Sequence, residues 1–227
     1  MSYTFKQNLL PASKYPIKSP YSMTPQFITV HNTANDASAE NEIKYMLTNG
    51  NQVSYHVAVD DKNVIQAIPF NRNAWHCGDG QGSGNLKSIG VEICYSKSGG
   101  ARYLIAEENA VQYIASLLKQ YGWSIERVRK HQDWNGKYCP HRILDEGRWS
   151  SFLKRIENAL NAKNEIVGED DDVMQFTNET LKAAVRDYLK QAVEKKLIDK
   201  SHLEKFDAGT LTSGDFEGLK IIVAQRS

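Results

Sequence analysis

Ile89-Gly-Val-Glu-Ile-Cys-Tyr95 is an apolar, β-branched run of strand length, and a helical pattern follows it. In residues 107–121, Ala110, Val111, Ile114, Leu117, Leu118 and Tyr121 recur at helical spacing, and Gly122 is placed to end the helix. One face of that helix is expected to cover a sheet containing the strand. Earlier in the chain, Phe27-Ile-Thr-Val-His31 repeats the strand pattern, and residues 39–47 read as a short helix stopped by Asn49-Gly50. Ser54-Tyr-His-Val-Ala-Val-Asp60 alternates like a half-buried strand, turns at Asp61-Lys62-Asn63 and returns as Val64-Ile-Gln-Ala-Ile68, the signature of a hairpin. A helix over 148–160, with Phe152, Leu153, Ile156 and Leu160 on one side, completes an α/β fold: a mixed central sheet flanked by helices.

The chain has 227 residues, 41 % of them hydrophobic and 24 % charged, enough for one good-sized domain and a small one. No apolar run approaches the roughly 18 residues of a membrane span, and the opening Met1-Ser-Tyr-Thr-Phe-Lys-Gln7 lacks the basic-then-apolar order of a secretory signal. The expectation is a chain made in the cytosol, without membrane insertion. Cys77, Cys94 and Cys139 are odd in number and widely spaced, which excludes a disulfide framework. The net charge of +1 divides into +4 on residues 1–160, −4 on 161–172 and +1 on the rest. That excess suits an anionic polymer as partner but falls far short of a nucleic-acid footprint.

The acidic, aperiodic stretch 161–172 reads as a solvated linker between a domain over 1–160 and a second over 173–227. In the latter, residues 180–196 place Leu181, Ala184, Val185, Tyr188, Leu189, Ala192 and Val193 on one helical stripe. Ser201-His-Leu-Glu204 has the form of a capping box opening a second helix that ends at Gly209, and 216–223 suggests a third. So small an all-α domain stands near the lower limit for independent folding, and self-association into a homodimer is one source of added stability.

The stretch His131-Gln-Asp-Trp-Asn-Gly-Lys-Tyr-Cys139, taken with His31, offers two imidazoles and a thiolate to one zinc ion. Three protein ligands of this kind leave a fourth tetrahedral position open, as in catalytic sites. Taken singly, each residue is commonplace: a strand-end histidine is usually hydrogen-bonded, and a lone cysteine usually packs as a small hydrophobe. A structural zinc finger would need paired ligands that Cys77 and Cys94 do not supply, and no thiol-hydrolase signature surrounds Cys139. Glu92, between Val91 and Ile93, is costly to bury unless it faces a polar cavity, where it would serve as a base, or meets a salt-bridge partner. The run Gly78-Asp-Gly-Gln-Gly-Ser-Gly84 is no phosphate loop, since it lacks the Lys-Ser/Thr ending and an orderly helix after it.

Val30-His-Asn-Thr-Ala34, Ser54-Tyr-His-Val-Ala-Val-Asp60, Trp75-His76, Ser88-Ile-Gly-Val-Glu92 and the Lys137-Tyr-Cys139-Pro140 segment together resemble the motifs of the type 2, zinc-dependent N-acetylmuramoyl-L-alanine amidases. Peptidoglycan recognition proteins and phage lysins share that fold, and the resemblance covers roughly residues 20–160. It implies that His31, His131 and Cys139 bind one zinc, and that a zinc-activated water attacks the amide joining N-acetylmuramic acid to L-alanine of the stem peptide. It further implies Glu92 as general base, Lys137 as stabiliser of the oxyanion and Tyr55 at the border of the metal, with His56 on the opposite side of its strand in a structural role. His76 matches a cleft histidine, and Trp75, Asp79 and Asn85 are expected to line the same substrate groove.

Residues 173–227 resemble, through Thr177-Asn-Glu-Thr-Leu181 and Ala192-Val-Glu-Lys-Lys-Leu-Ile198, the C-terminal domain of some lysins from phages of Bacillus. That likeness implies binding to peptidoglycan or an associated cell-wall polymer, and a protein that accumulates in the host cytoplasm and reaches the wall once another phage protein breaches the inner membrane. The alternatives are a peptidoglycan-binding protein without catalysis and an intracellular amidase that recycles wall fragments.

Overall fold

Among the described residues, six strands form one sheet. In the computed structural model, which describes residues 3–161, 173–176 and 179–226, the chain divides into two compact units, Met1–Asn161 and Ala162–Ser227. The expected acidic linker lies, from residue 162 onward, outside the described residues.

The first unit runs β1 (Thr4–Gln7), α1 (Tyr15–Lys18), β2 (Phe27–Asn32), α2 (Ala39–Thr48), β3 (Val57–Val59), β4 (Asn63–Gln66), α3 (Ser83–Lys87), β5 (Ser88–Ile93), α4 (Gly100–Tyr121), β6 (Val128–Lys130), α5 (Gln132–Asn135), α6 (His141–Asp145) and α7 (Trp149–Asn161). The sheet order is β1-β4-β3-β5-β2-β6, parallel throughout except for the β3/β4 hairpin. The mixed sheet with flanking helices is therefore the one the periodicity predicts. Four elements differ from expectation. α4 begins at Gly100, well before residue 107, because Gly99 at φ 69° turns the chain into it. Edge strands β1 and β6, Thr-Phe-Lys-Gln and Val-Arg-Lys, carry too little apolar alternation to be read as strands. The glycine-rich stretch before α3 is followed by a short helix after all, five residues long.

Strand register separates chemistry from packing. On β2 and β5, Ile28, Val30, Ile89, Val91 and Ile93 join one cluster with Ala110, Val111, Ile114, Leu117 and Leu118 of α4. The alternate positions are Thr29 and His31 on β2 and Ser88, Gly90 and Glu92 on β5, with His31 paired to Glu92 and Thr29 to Gly90. Side chains alternate between faces along a strand, so these five share the face turned from α4. α7 is held to α4 by Arg148 and Arg155, which both donate to the fully buried Glu107 carboxylate, Arg148 at 2.5 Å.

Lys18, at the end of α1, is fully buried. Its ammonium donates to Asn49 Oδ1 at 2.9 Å and to the carbonyls of Asn51 and Val53 at 2.8 and 3.0 Å, so three neutral acceptors satisfy the charge. It thereby fixes the loop that follows α2.

In the second unit, α8 (Glu179–Glu194), α9 (Lys200–Asp207) and α10 (Ser213–Arg226) enclose Leu189, Ala192, Ile198, Phe206, Leu211 and Leu219. The capping box assigned to Ser201 is corrected: Asp199 is the N-cap, its side chain accepting from Ser201 N at 2.9 Å. Arg186 grips Asp207 through two hydrogen bonds of 2.6 and 2.8 Å, tying α8 to α9.

Candidate active site

His31 and His131 come together because two strands are in register. Val30 on β2 pairs with Lys130 on β6, and each histidine is the next residue along its own chain. The loop after His131 then closes on itself: α5 ends at Gly136, whose left-handed φ of 82° reverses the chain, and Gln132 N donates to the Cys139 carbonyl at 3.1 Å. That closure returns the Cys139 thiol to the histidines. His131 Nδ1 lies 3.0 Å from His31 Nδ1, and Cys139 Sγ lies 3.8 Å from the same nitrogen.

Bond lengths of about 2.1 Å to nitrogen and 2.3 Å to sulfur place tetrahedral ligand atoms roughly 3.4 Å apart for two nitrogens and 3.6 Å apart for nitrogen and sulfur. The observed separations differ from these by only a few tenths of an ångström. All three residues are buried, and their donor atoms lie within 4.8 Å of one another. The donor set fits a metal ion that takes nitrogen and sulfur. A second group, His31, His76 and Cys77, also meets this spacing, and it uses the other side of the His31 ring: His31 Nε2 lies 2.9 Å from His76 Nδ1, which lies 3.1 Å from Cys77 Sγ.

Burial sets the protonation of these groups. It pushes the His31 imidazole well below its usual range, with the neighbouring His76 and His131 adding to the effect, and lowers His131, where Lys137 adds. The Cys139 thiol is pushed up to about 12, first by burial and then by Glu92. Glu92 is itself pushed up to about 8 by burial and by the Glu42 carboxylate, while Lys137 draws it down. Its Oε2 is buried with no hydrogen-bond partner among the described residues, so the salt-bridge alternative for Glu92 is not what the structure contains.

Two cavities flank these residues. The larger, about 780 Å³, is bordered by Glu92, Cys139, Tyr55, Glu42 and the carboxamides of Asn35, Asn41, Asn49 and Asn51. The smaller, about 480 Å³, is bordered by His131, His76, Trp75, Asn85 and Asn135. Exposed Lys137 and Val53 line both. Tyr55 donates from its hydroxyl to Glu42 Oε2 at 3.2 Å, and Glu42 also accepts from Asn35 at 2.5 Å. Sequence reasoning passed over Glu42, which lies on α2 at a position that only the tertiary fold brings to the groove.

The substrate-side residues divide. Trp75 is half-buried on the smaller cavity, its ring edge-on to Tyr21 at 6.0 Å. Asp79 is occupied within its loop, accepting from Gly84 N at 2.7 Å and Asn85 N at 3.1 Å. Asn85, only 2 % exposed, accepts from His76 N and Cys77 N at 2.9 and 2.8 Å and donates to the Gly80 carbonyl at 2.9 Å. Both hold the loop that carries His76 rather than projecting free groups into a groove. His76 stands behind His31, with its Nε2 3.2 Å from the Ser88 carbonyl. His56 borders neither cavity: it accepts from Gly90 N and donates to the Arg72 carbonyl, both at 2.9 Å, and its ring meets that of His76 edge-on at 5.8 Å.

Residues 21–142 match the family described as N-acetylmuramoyl-L-alanine amidase. The chain is 61 % identical over 162 residues to N-acetylmuramoyl-L-alanine amidase XlyB of Bacillus subtilis (strain 168), a match covering 71 % of this chain and 51 % of that protein. With N-acetylmuramoyl-L-alanine amidase CwlA of Bacillus sp it shares 45 % identity over 216 residues, 94 % of this chain and 86 % of the relative. The solved structure of PlyL aligns with a TM-score of 0.68 at 59 % identity, over 69 % of this chain and 98 % of that one. The chain thus spans about half the length of XlyB but most of that CwlA. Strand register, the closed loop returning Cys139 to the two histidines, and these likenesses agree that the chain belongs to the N-acetylmuramoyl-L-alanine amidase family.

Proposed function

We propose that this chain is a peptidoglycan hydrolase that cleaves the amide between N-acetylmuramic acid and L-alanine of the stem peptide, with zinc held by His31, His131 and Cys139. The observation that carries this reading is the convergence of those three donor atoms at a point bordered by an unpaired carboxylate, Glu92, in a chain of the amidase family. The group on the far side of His31 is the weaker candidate, because Cys77 is fully enclosed and neither cavity is bordered by its side chain. Bound zinc would lower the pKa of water towards about 7 and polarise the scissile carbonyl.

The chain's own groups supply the rest. Glu92, raised by burial, is a stronger base than an exposed carboxylate, and its free Oε2 accepts the proton lost by the attacking water. Lys137 borders both cavities, where its ammonium offsets the negative charge that develops on the carbonyl oxygen. Tyr55, anchored to Glu42, presents a hydroxyl that orients the substrate. The second unit is the wall-binding element, which raises the local concentration of enzyme at an immobile polymer. Its support is the CwlA likeness, which extends over 216 residues and so into the C-terminal unit. A lysin acting from inside its host fits this reading, and no helix of the described residues is long and apolar enough to cross a membrane.

Digestion of purified cell walls tests the activity. New L-alanine amino termini are expected with zinc-loaded protein, are expected to vanish with chelator and to return when zinc is restored. Wall binding without new termini would favour the non-catalytic reading, and new reducing sugars would replace the amidase with a glycosidase.

A further inference from the structure

We propose that His76 is a positioning residue that sets the tautomer of His31 and so aims its Nδ1 lone pair at the metal, an inference that rests on zinc being held by His31, His131 and Cys139. The Ser88 carbonyl can only accept a hydrogen bond. It lies 3.2 Å from His76 Nε2, so that nitrogen carries the proton. In a neutral imidazole the other nitrogen is then an acceptor, and His76 Nδ1 faces His31 Nε2 at 2.9 Å. His31 Nε2 therefore donates, which leaves His31 Nδ1 bare and directed at His131 Nδ1 and Cys139 Sγ. The chain Ser88–His76–His31 is a relay of hydrogen bonds ending on a metal ligand, the kind of outer contact that fixes ring orientation and raises ligand basicity.

The fold makes room for this relay at one position. Gly90 lies on the same strand face as Glu92, and a Cβ there would stand 2.8 Å from Cγ and Nδ1 of His76 and 2.9 Å from its Cε1. Any side chain at residue 90 would push the ring away. A glycine inside a strand weakens it by its entropy and missing packing, so the close approach of His76 gives this one a reason to be there. Asn85 supports the same placement from the other side by accepting from the backbone N–H of His76.

Long-range proton–nitrogen correlation spectra of the metal-free chain read the His31 tautomer directly. A proton on Nε2 is expected, and a proton on Nδ1 overturns the relay. Zinc affinity, measured by competition with a chromophoric chelator, is expected to fall about 10- to 100-fold in His76→Leu and in Gly90→Ala, and to recover largely in His76→Gln, whose amide can accept from His31 and donate to Ser88. Unchanged affinity in folded His76→Leu overturns the proposal. Cys77→Ala is expected to bind zinc like the parent and Cys139→Ala to lose it, whereas the reverse pattern makes His76 a ligand and the relay wrong. A parent chain that takes up no zinc, or whose uptake survives His131→Ala, defeats the underlying metal reading instead, and the tautomer measured without metal tells the two failures apart.

Discussion

Glu92 owes its proposed role to a half-turn of the pleat. One position either way along β5 would turn it into the aliphatic cluster under α4, whereas in its actual register it sits beside His31 with one oxygen unpaired. Glu92→Gln is expected to keep one zinc per chain and to lose activity by about 10²- to 10⁴-fold, the usual worth of a positioned base. Near-normal turnover would remove it from the mechanism. Lys137→Met is expected to lower kcat by about 10²- to 10³-fold with little change in zinc content, as for loss of one oxyanion donor. His56 gives a different signal. Burial lowers it to about 4 in the folded chain, so between that value and about 6.5 the unfolded chain binds more protons, and stability present above pH 6.5 declines as pH falls through this window. The loss is on the order of 3 kcal/mol for this one residue. Denaturant titrations of the metal-loaded protein at pH 7, 5.5 and 4.5 should show a shallower pH dependence in His56→Gln; an identical slope would mean that other groups govern it. At this scale the sequence was most informative where motif and register coincide, at His31, His131, Cys139 and Glu92. It was least informative for Glu42, Asp79 and Asn85, whose partners depend on which loop arrives beside them.

Elements were legible in proportion to their apolar periodicity. The core of α4, the β3/β4 hairpin and strands β2 and β5 carry that signal, and β1 and β6 do not, although β6 delivers His131 to the site. The start of α4 lies ahead of the apolar spacing that marks the helix, and the chain enters it through the positive φ values of Gly99 and Gly100. What holds α7 was equally hidden, since a glutamate at a helical core position acquires meaning only when two arginines arrive from another helix. Glu107→Ala should cost about 3 kcal/mol, at the lower end for a broken buried pair because both guanidinium groups keep access to water. Thermal unfolding checks this, and an unchanged midpoint would make the clamp incidental. Replacing both arginines as well should add little, since the three groups act as one unit.

At the scale of the whole molecule, the chain joins a unit that carries every proposed reactive group to a small helical unit with its own core. The solved chain of PlyL is matched over 98 % of its length by 69 % of this chain, so in that relative a polypeptide of about that extent folds. A chain of residues 1–161 is therefore expected to cleave a soluble muropeptide at the rate of the full chain and to sediment far less with insoluble walls. Equal sedimentation would take wall attachment away from the second unit. The design of such fragments depends on Lys18. Family resemblance begins at residue 21, so a fragment cut there would discard the ammonium that fastens Asn49, Asn51 and Val53 along the rim of the larger cavity, together with edge strand β1. The outline by which the family is recognised is thus smaller than the piece that could be transplanted. A chimaera that borrows this catalytic unit for another targeting domain is expected to need the segment that carries β1 and Lys18, although none of its described residues hydrogen-bonds to the proposed metal ligands.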